Sequence, residues 1–185
     1  FNTQSIESAY TFGSYGLQKF WINTNLGNKT NAAKITYSNT HSDGYRENNE
    51  LKRQTVTLAS NHYINEKNNL NILANYIKLK AYIPSSLDED DYINDPSKAA
   101  FTWGRSKGFE DYDKFLLGLS WQHEYSPKSK QISSIFGSLL DSYEARPFNI
   151  LEQGSSTAGD LPIGLIPFIL GKNKFQWTGG IEFFN

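Results

Sequence analysis

YDKFLLGLSWQHEYSPKSKQISSIFGSLLDSYE, residues 112–144, is the most legible structural unit in the chain. Every second residue from Phe115 gives Phe115, Leu117, Leu119, Trp121, His123 and Tyr125, and the intervening positions give Lys114, Leu116, Gly118, Ser120, Gln122 and Glu124. A period of two marks a strand with one apolar face. Aromatics stand near both ends of that face with aliphatics between them, and the other face carries small, amide and charged groups. Such a pattern suits a wall with lipid on one side and water on the other. The polar turn Ser126-Pro127-Lys128-Ser129-Lys130 then reverses the chain into a second run with Ile132, Phe136 and Leu140 on one face. The unit is a hairpin, and the rest of the chain decides its sheet.

Composition narrows the choice. No run of about twenty apolar residues exists, which excludes helical membrane spans but not strands, whose alternation averages out as polar. The net charge of −1, without a visible basic stripe, argues against nucleic acid as a partner. Cysteine is absent, so neither disulfides nor thiolate metal sites are available. A chain that opens Phe-Asn-Thr and closes on Phe183-Phe184-Asn185 within an alternating run is expected to be a portion, 1–185, of something longer.

In chain order, further alternating runs cover residues 6–12, 15–26, 33–38, 54–63 and 70–76. Short polar turns at 13–14, 27–31 and 64–68 separate some of them, and a longer polar segment, 41–50, separates others. Residues 81–111 show no sustained period and hold Asp88, Glu89, Asp90, Asp91, Phe101, Trp103, Arg105 and Lys107. So long a connection points to a binding loop or lid, and its aromatics argue against disorder. A polar connection is expected at 141–160. A strand follows at 161–170, interrupted by Pro162 and Pro167, which cannot donate to a ladder. A turn at 171–174 leads to a last run from Phe175 to Phe183.

The connections therefore alternate short and long, so antiparallel neighbours place the short ones at one rim and the long ones at the other. Outer-membrane barrels have this asymmetry. A soluble sandwich or up-and-down barrel could also gather its loops at one end, although it would not require aromatics near strand ends.

Residues 13–48 resemble the first barrel strands after the plug in TonB-dependent outer-membrane receptors. The likeness rests on Gly13, Ser14, Tyr15 and Gly16, then Gly27, then Ser42, Asp43, Gly44, Tyr45 and Arg46. The stretches IPSSLDEDDY, NDPSKAAFTWGRSKGFEDYDK and YEARPFNIL resemble the ferric-chelate receptors of that family, in particular the Bacteroidetes-type branch. The resemblance implies an all-β fold, an antiparallel transmembrane β-barrel. Of its expected 22 strands, about eight or nine are present here, without the plug domain and the remaining barrel strands. It implies a place in the cell outer membrane, with lipid, the missing plug and barrel segments, and the TonB energy-coupling complex as partners. The activity it implies is energy-coupled import of a ferric chelate, a siderophore or an iron citrate-like species, without enzyme chemistry or a resident cofactor. A passive porin-like channel, a sugar or peptide importer of the same fold, and a secreted all-β carbohydrate-binding or hydrolytic domain are the alternatives.

The residues themselves support capture better than catalysis. His41, His62 and His123 lack metal-site spacing, and the acidic run 88–91 has no scaffold to hold two carboxylates at a set separation. Arg46, Lys98, Arg105 and Lys107, with Phe101 and Trp103, gather cations and aromatic surface at one rim. Arginine can fork to a chelate's carboxylates and an aromatic can cover its organic part. The expected ligand-contacting residues are Tyr45, Arg46, Phe101, Trp103, Arg105 and Lys107, and no metal-ligating residues are expected.

Overall fold

The computed structural model describes residues 4–170 and 173–184. Its strands are β1 (Ser5–Phe12), β2 (Gln18–Gly27), β3 (Asn31–Ser42), β4 (Leu51–Asn65), β5 (Asn68–Tyr82), β6 (Phe109–Ser126), β7 (Ser129–Ala145), β8 (Ile150–Leu170), β9 (Asn173–Gly180) and β10 (Phe183–Phe184). Two short helices, α1 (Glu89–Asn94) and α2 (Phe101–Ser106), lie between β5 and β6. All strands belong to one antiparallel sheet in which each of β1 to β8 pairs with the next. β9 and β10 both pair with β8 in a common register, Ile163 opposite Gly180 and Asp160 opposite Phe183, so they are two parts of one interrupted strand. Among the described residues, β1 is the last strand on one side of the sheet and β9–β10 on the other.

Register explains which residues share a face. One row crosses the sheet through Ile22, Tyr37, Val56, Tyr76, Phe115 and Leu139, and the next runs through Ile35, Leu58, Ala74 and Leu117. Toward one rim this belt gives way to Lys52, Lys80 and Asp111, with Lys78 pairing with Asp113 at 3.3 Å. Toward the other it gives way to Asn31, His62, Asn68 and His123. On β6 the belt covers residues 115–121, about 20 Å of extended chain. It fades on β8, where Ser156, Ala158 and Asp160 occupy the same rows.

The opposite face is polar and cross-linked from strand to strand. Thr36 donates to Asn23 at 2.7 Å, Asn75 to Thr57 at 2.7 Å, Asn61 to Asn71 at 2.6 Å and Ser134 to Ser120 at 2.9 Å. Ile132, Phe136 and Leu140 lie on this face, opposite to Phe115 and its row. A Cβ on Gly159 would stand 2.3 Å from the Phe136 ring, so that ring rests over a bare stretch of β8.

Neither face covers a core. Among the described residues Ala99 is the one buried hydrophobic side chain. The accessible surface is 12779 Å², against about 9,000 Å² for a soluble monomer of this mass. The structure is thus a single layer, where a self-contained domain packs two. Phe115 and Trp121 are exposed on it and not enclosed in a sandwich.

One expectation is corrected. The polar connection read at 141–160 is strand: β7 runs on to Ala145, and β8 starts at Ile150. Gly154, Ser155, Ser156, Thr157 and Gly159 have little strand preference of their own, and continuous pairing with β7 imposes their conformation. The strand expected at 161–170 is present as the second half of β8, and its prolines sit where no ladder bond is lost. Ile181 N donates to Pro162 O at 3.2 Å, so the polar edge of Pro162 faces the break between β9 and β10. Pro167 lies beyond Leu165, where pairing with β7 has ended. The turn expected at 171–174 falls partly outside the described residues.

Candidate ligand-binding rim

The connections 28–30, 66–67 and 127–128 lie at one rim, and 13–17, 43–50, 83–108 and 146–149 at the other. The short rim is made by local side-chain turns. Asn28 accepts from Thr30 N and Asn31 N at 2.9 and 2.7 Å, and Asn65 accepts from Lys67 N at 3.0 Å. The long rim holds the candidate site.

Its 43–50 loop is built on a tight fold-back. Gly44 has φ +80°, and a Cβ there would stand 2.4 Å from Asn49 O. Asp43 N donates to Tyr15 O at 2.9 Å, and the Tyr45 ring meets Tyr15 edge-on at 5.4 Å between centroids. Tyr45 remains 49% exposed. The Arg46 guanidinium turns to main-chain carbonyls: Nε to Lys98 O at 2.8 Å, Nη1 to Ser85 O at 2.6 Å and Nη2 to Pro84 O at 3.4 Å. Asn48, at φ +53°, donates to both Ile83 O and Gly108 O at 2.8 and 2.9 Å.

The 83–108 segment contains the two helices that its lack of a sustained period concealed. Asp88 caps α1 by accepting from Asp91 N at 2.8 Å, and Asp91 pairs with Lys98 at 2.7 Å. That carboxylate's hydrogen bond raises Lys98 above the usual ammonium range. The acidic run therefore shapes its own helix, and Lys98 is committed to it. On α2, Phe101 is 77% exposed and shares one helical face with Arg105, four residues on. Trp103 lies against Gly108, where a Cβ would be 2.4 Å from its ring. Lys107 ends the helix in the left-handed conformation, φ 50° and ψ 48°. Among the described residues no carboxylate pairs with Arg105 or Lys107.

The six expected site residues thus fall into two groups at the same rim. Tyr45 and Arg46 border a cavity of about 540 Å³ with Leu87, Asp88, Glu89, Tyr92 and Pro96 of the neighbouring segment. Phe101, Trp103, Arg105 and Lys107 belong to α2 and its cap, outside that lining. Leu87, Tyr92 and Pro96 were not among the expected ligand-contacting residues; the signal for them was an aromatic and a proline beside a charged helix start. The histidines are engaged separately, His41 with Asp43 at 3.2 Å, His62 with Asn31 at 2.8 Å and His123 with Asn68 at 2.8 Å. Among the described residues no group of three or more His, Asp or Glu is placed to hold a metal.

No family model and no curated protein matches the chain. Solved structures do. The ferric citrate transporter FecA in its unliganded form is similar at TM-score 0.80 and 16% identity, over 97% of this chain and 28% of that one. The ferric-catecholate import receptor Fiu of E. coli K12 is similar in its open form at TM-score 0.70 and 12% identity, over 100% of this chain and 34% of that one. Its closed form gives TM-score 0.68 and 12% identity, over 100% and 32%. The chain therefore shares its fold with about a third of the length of each of these transport proteins.

Proposed function

We propose that this chain is part of the wall and outer rim of a TonB-dependent outer-membrane receptor that imports a ferric chelate. The observation that carries the proposal is the single-layer sheet, with a belt of apolar side chains on one face, polar ladders on the other and its long connections at one rim. In hydrocarbon every backbone group must be paired within the protein, so such a sheet is stable there only as part of a closed barrel. The similarity in fold to FecA and Fiu supports ferric chelate as the substrate class.

The belt faces lipid, and Lys114, Ser120, Gln122 and Glu124 face the lumen. Phe101, Arg105 and Lys107 meet the chelate from α2, where an arginine fork and an ammonium match its anionic oxygens and the phenyl ring covers its organic part. Tyr45 meets it from the neighbouring loop. Arg46 and Trp103 hold these groups in position. The plug and the TonB complex supply the energy-coupled step, which forms no covalent bond.

The test is uptake of radiolabelled ferric citrate and a ferric tris-catecholate by cells that carry the full-length protein as their one receptor of this kind. Uptake of at least one, abolished when the inner-membrane proton gradient is collapsed, is the expected result. Uptake of neither, or uptake indifferent to the gradient, refutes the reading. Replacing Arg105 and Lys107 by Ala is expected to weaken chelate binding about tenfold or more while leaving barrel assembly unchanged. Unchanged affinity removes them from the site.

A further inference from the structure

The 83–108 excursion leaves the sheet at Tyr82 and returns at Phe109, which are paired neighbours on β5 and β6. Neither of its helices buries a side chain, so no apolar core of its own holds it in place. Two main-chain bonds join its limbs, Ile83 N to Gly108 O at 3.0 Å and Ala100 N to Pro84 O at 2.8 Å, and what ties it to the rest of the rim comes from three consecutive residues of another loop. Asn48 spreads one amide group across the neck, to Ile83 O and Gly108 O. Arg46 spreads one guanidinium across the body, to Pro84 O and Ser85 O on the outgoing stretch and Lys98 O on the returning one. Between them, Glu47 N donates to Ser97 O at 2.7 Å, and the Glu47 carboxylate accepts from Ala99 N at 3.4 Å. Ala99, 7% exposed, lies next to this bracket.

We propose that Arg46 and Asn48 are positioning residues that hold the 83–108 excursion as a fixed wall of the rim before any ligand arrives. The proposal deepens the receptor reading and rests on it for the identity of what the wall meets. Residue type carries the argument. A guanidinium presents five donors in one plane and so serves two separate stretches at once, whereas an ammonium is a point donor. A primary amide has two donors on one nitrogen, one for each side of the neck. Asparagine also tolerates the left-handed backbone that aims that amide. Lys98, held by Arg46 through its carbonyl, is three residues from Phe101. The bracket therefore sets where α2 presents Phe101 and Arg105.

The experiment uses the full-length receptor in detergent micelles and compares wild type with Asn48→Gly and Arg46→Lys. The glycine keeps the left-handed backbone without the amide, and the lysine keeps the charge without the fork. In ligand-free amide hydrogen exchange, 83–108 is expected to exchange about tenfold faster in both variants, with β5 and β6 unchanged. Unchanged exchange of 83–108 in both variants overturns the proposal. In uptake, with ferric citrate and a ferric tris-catecholate as probes, the half-saturating concentration is expected to rise about tenfold at an unchanged maximal rate. A normal half-saturating concentration for Arg46→Lys would make Arg46 a charge contact and also overturn it. If wild type takes up neither probe, the receptor reading fails and the exchange result alone judges the bracket.

Discussion

Glycine contacts show where single residues limit the rim. Gly108 closes the 83–108 segment, and a Cβ there would meet the Trp103 ring at 2.4 Å and Ala145 O at 3.0 Å. The ring could swing away, but the carbonyl belongs to the β7 backbone and cannot. Gly108→Ala is therefore expected to cost about 1–3 kcal/mol of local stability, read as faster exchange of α2 amides with β7 unaffected. Gly44 is limited differently, by its positive φ and by Asn49 O. At this scale the sequence named the rim residues but not their work. Arg46 reads as a free cation because its partners are carbonyls far along the chain, which leave no sequence pattern. Lys98 also reads as free, although the Asp91 carboxylate seven residues earlier holds it.

Strand pairing decides what the alternation in β6 means. The period of two from Phe115 to Tyr125 was legible because apolar and aromatic residues alternate there with small or polar ones, Leu116 excepted. The Pro127-Lys128 turn lies within the turn expected at 126–130. β8 was illegible because its serines and glycines carry no alternation, and its strand character comes from its neighbours. The two faces of β6 are expected to respond differently to charge. Leu117→Arg, in the middle of the belt, is expected to destabilise the inserted barrel by about 2–4 kcal/mol, whereas Ser120→Arg, on the polar face, costs under about 1 kcal/mol. Unfolding of the full-length protein from lipid bilayers by denaturant measures both. Equal losses would show that the faces do not differ in environment.

Among the described residues the sheet is one layer without a core, and a lone layer is stable only where its faces and edges are covered. Antiparallel order, nearest-neighbour pairing and the placing of short turns at one rim could all be inferred from the pattern of runs and connections. The 146–149 connection, read as long, is in fact brief, so the rim asymmetry rests mainly on 43–50 and 83–108. The face proposed to meet lipid was read from the position of the aromatics, and register aligns the apolar residues of six strands into one belt on it. Site-directed spin labelling tests that assignment. Single cysteines placed in turn at 115–122 of the full-length protein in bilayers are labelled and compared for relaxation by oxygen and by a water-soluble nickel complex. Oxygen access peaking at 115, 117, 119 and 121, with nickel access peaking at 116, 118, 120 and 122, is expected. The opposite phase, or no period of two, would contradict it.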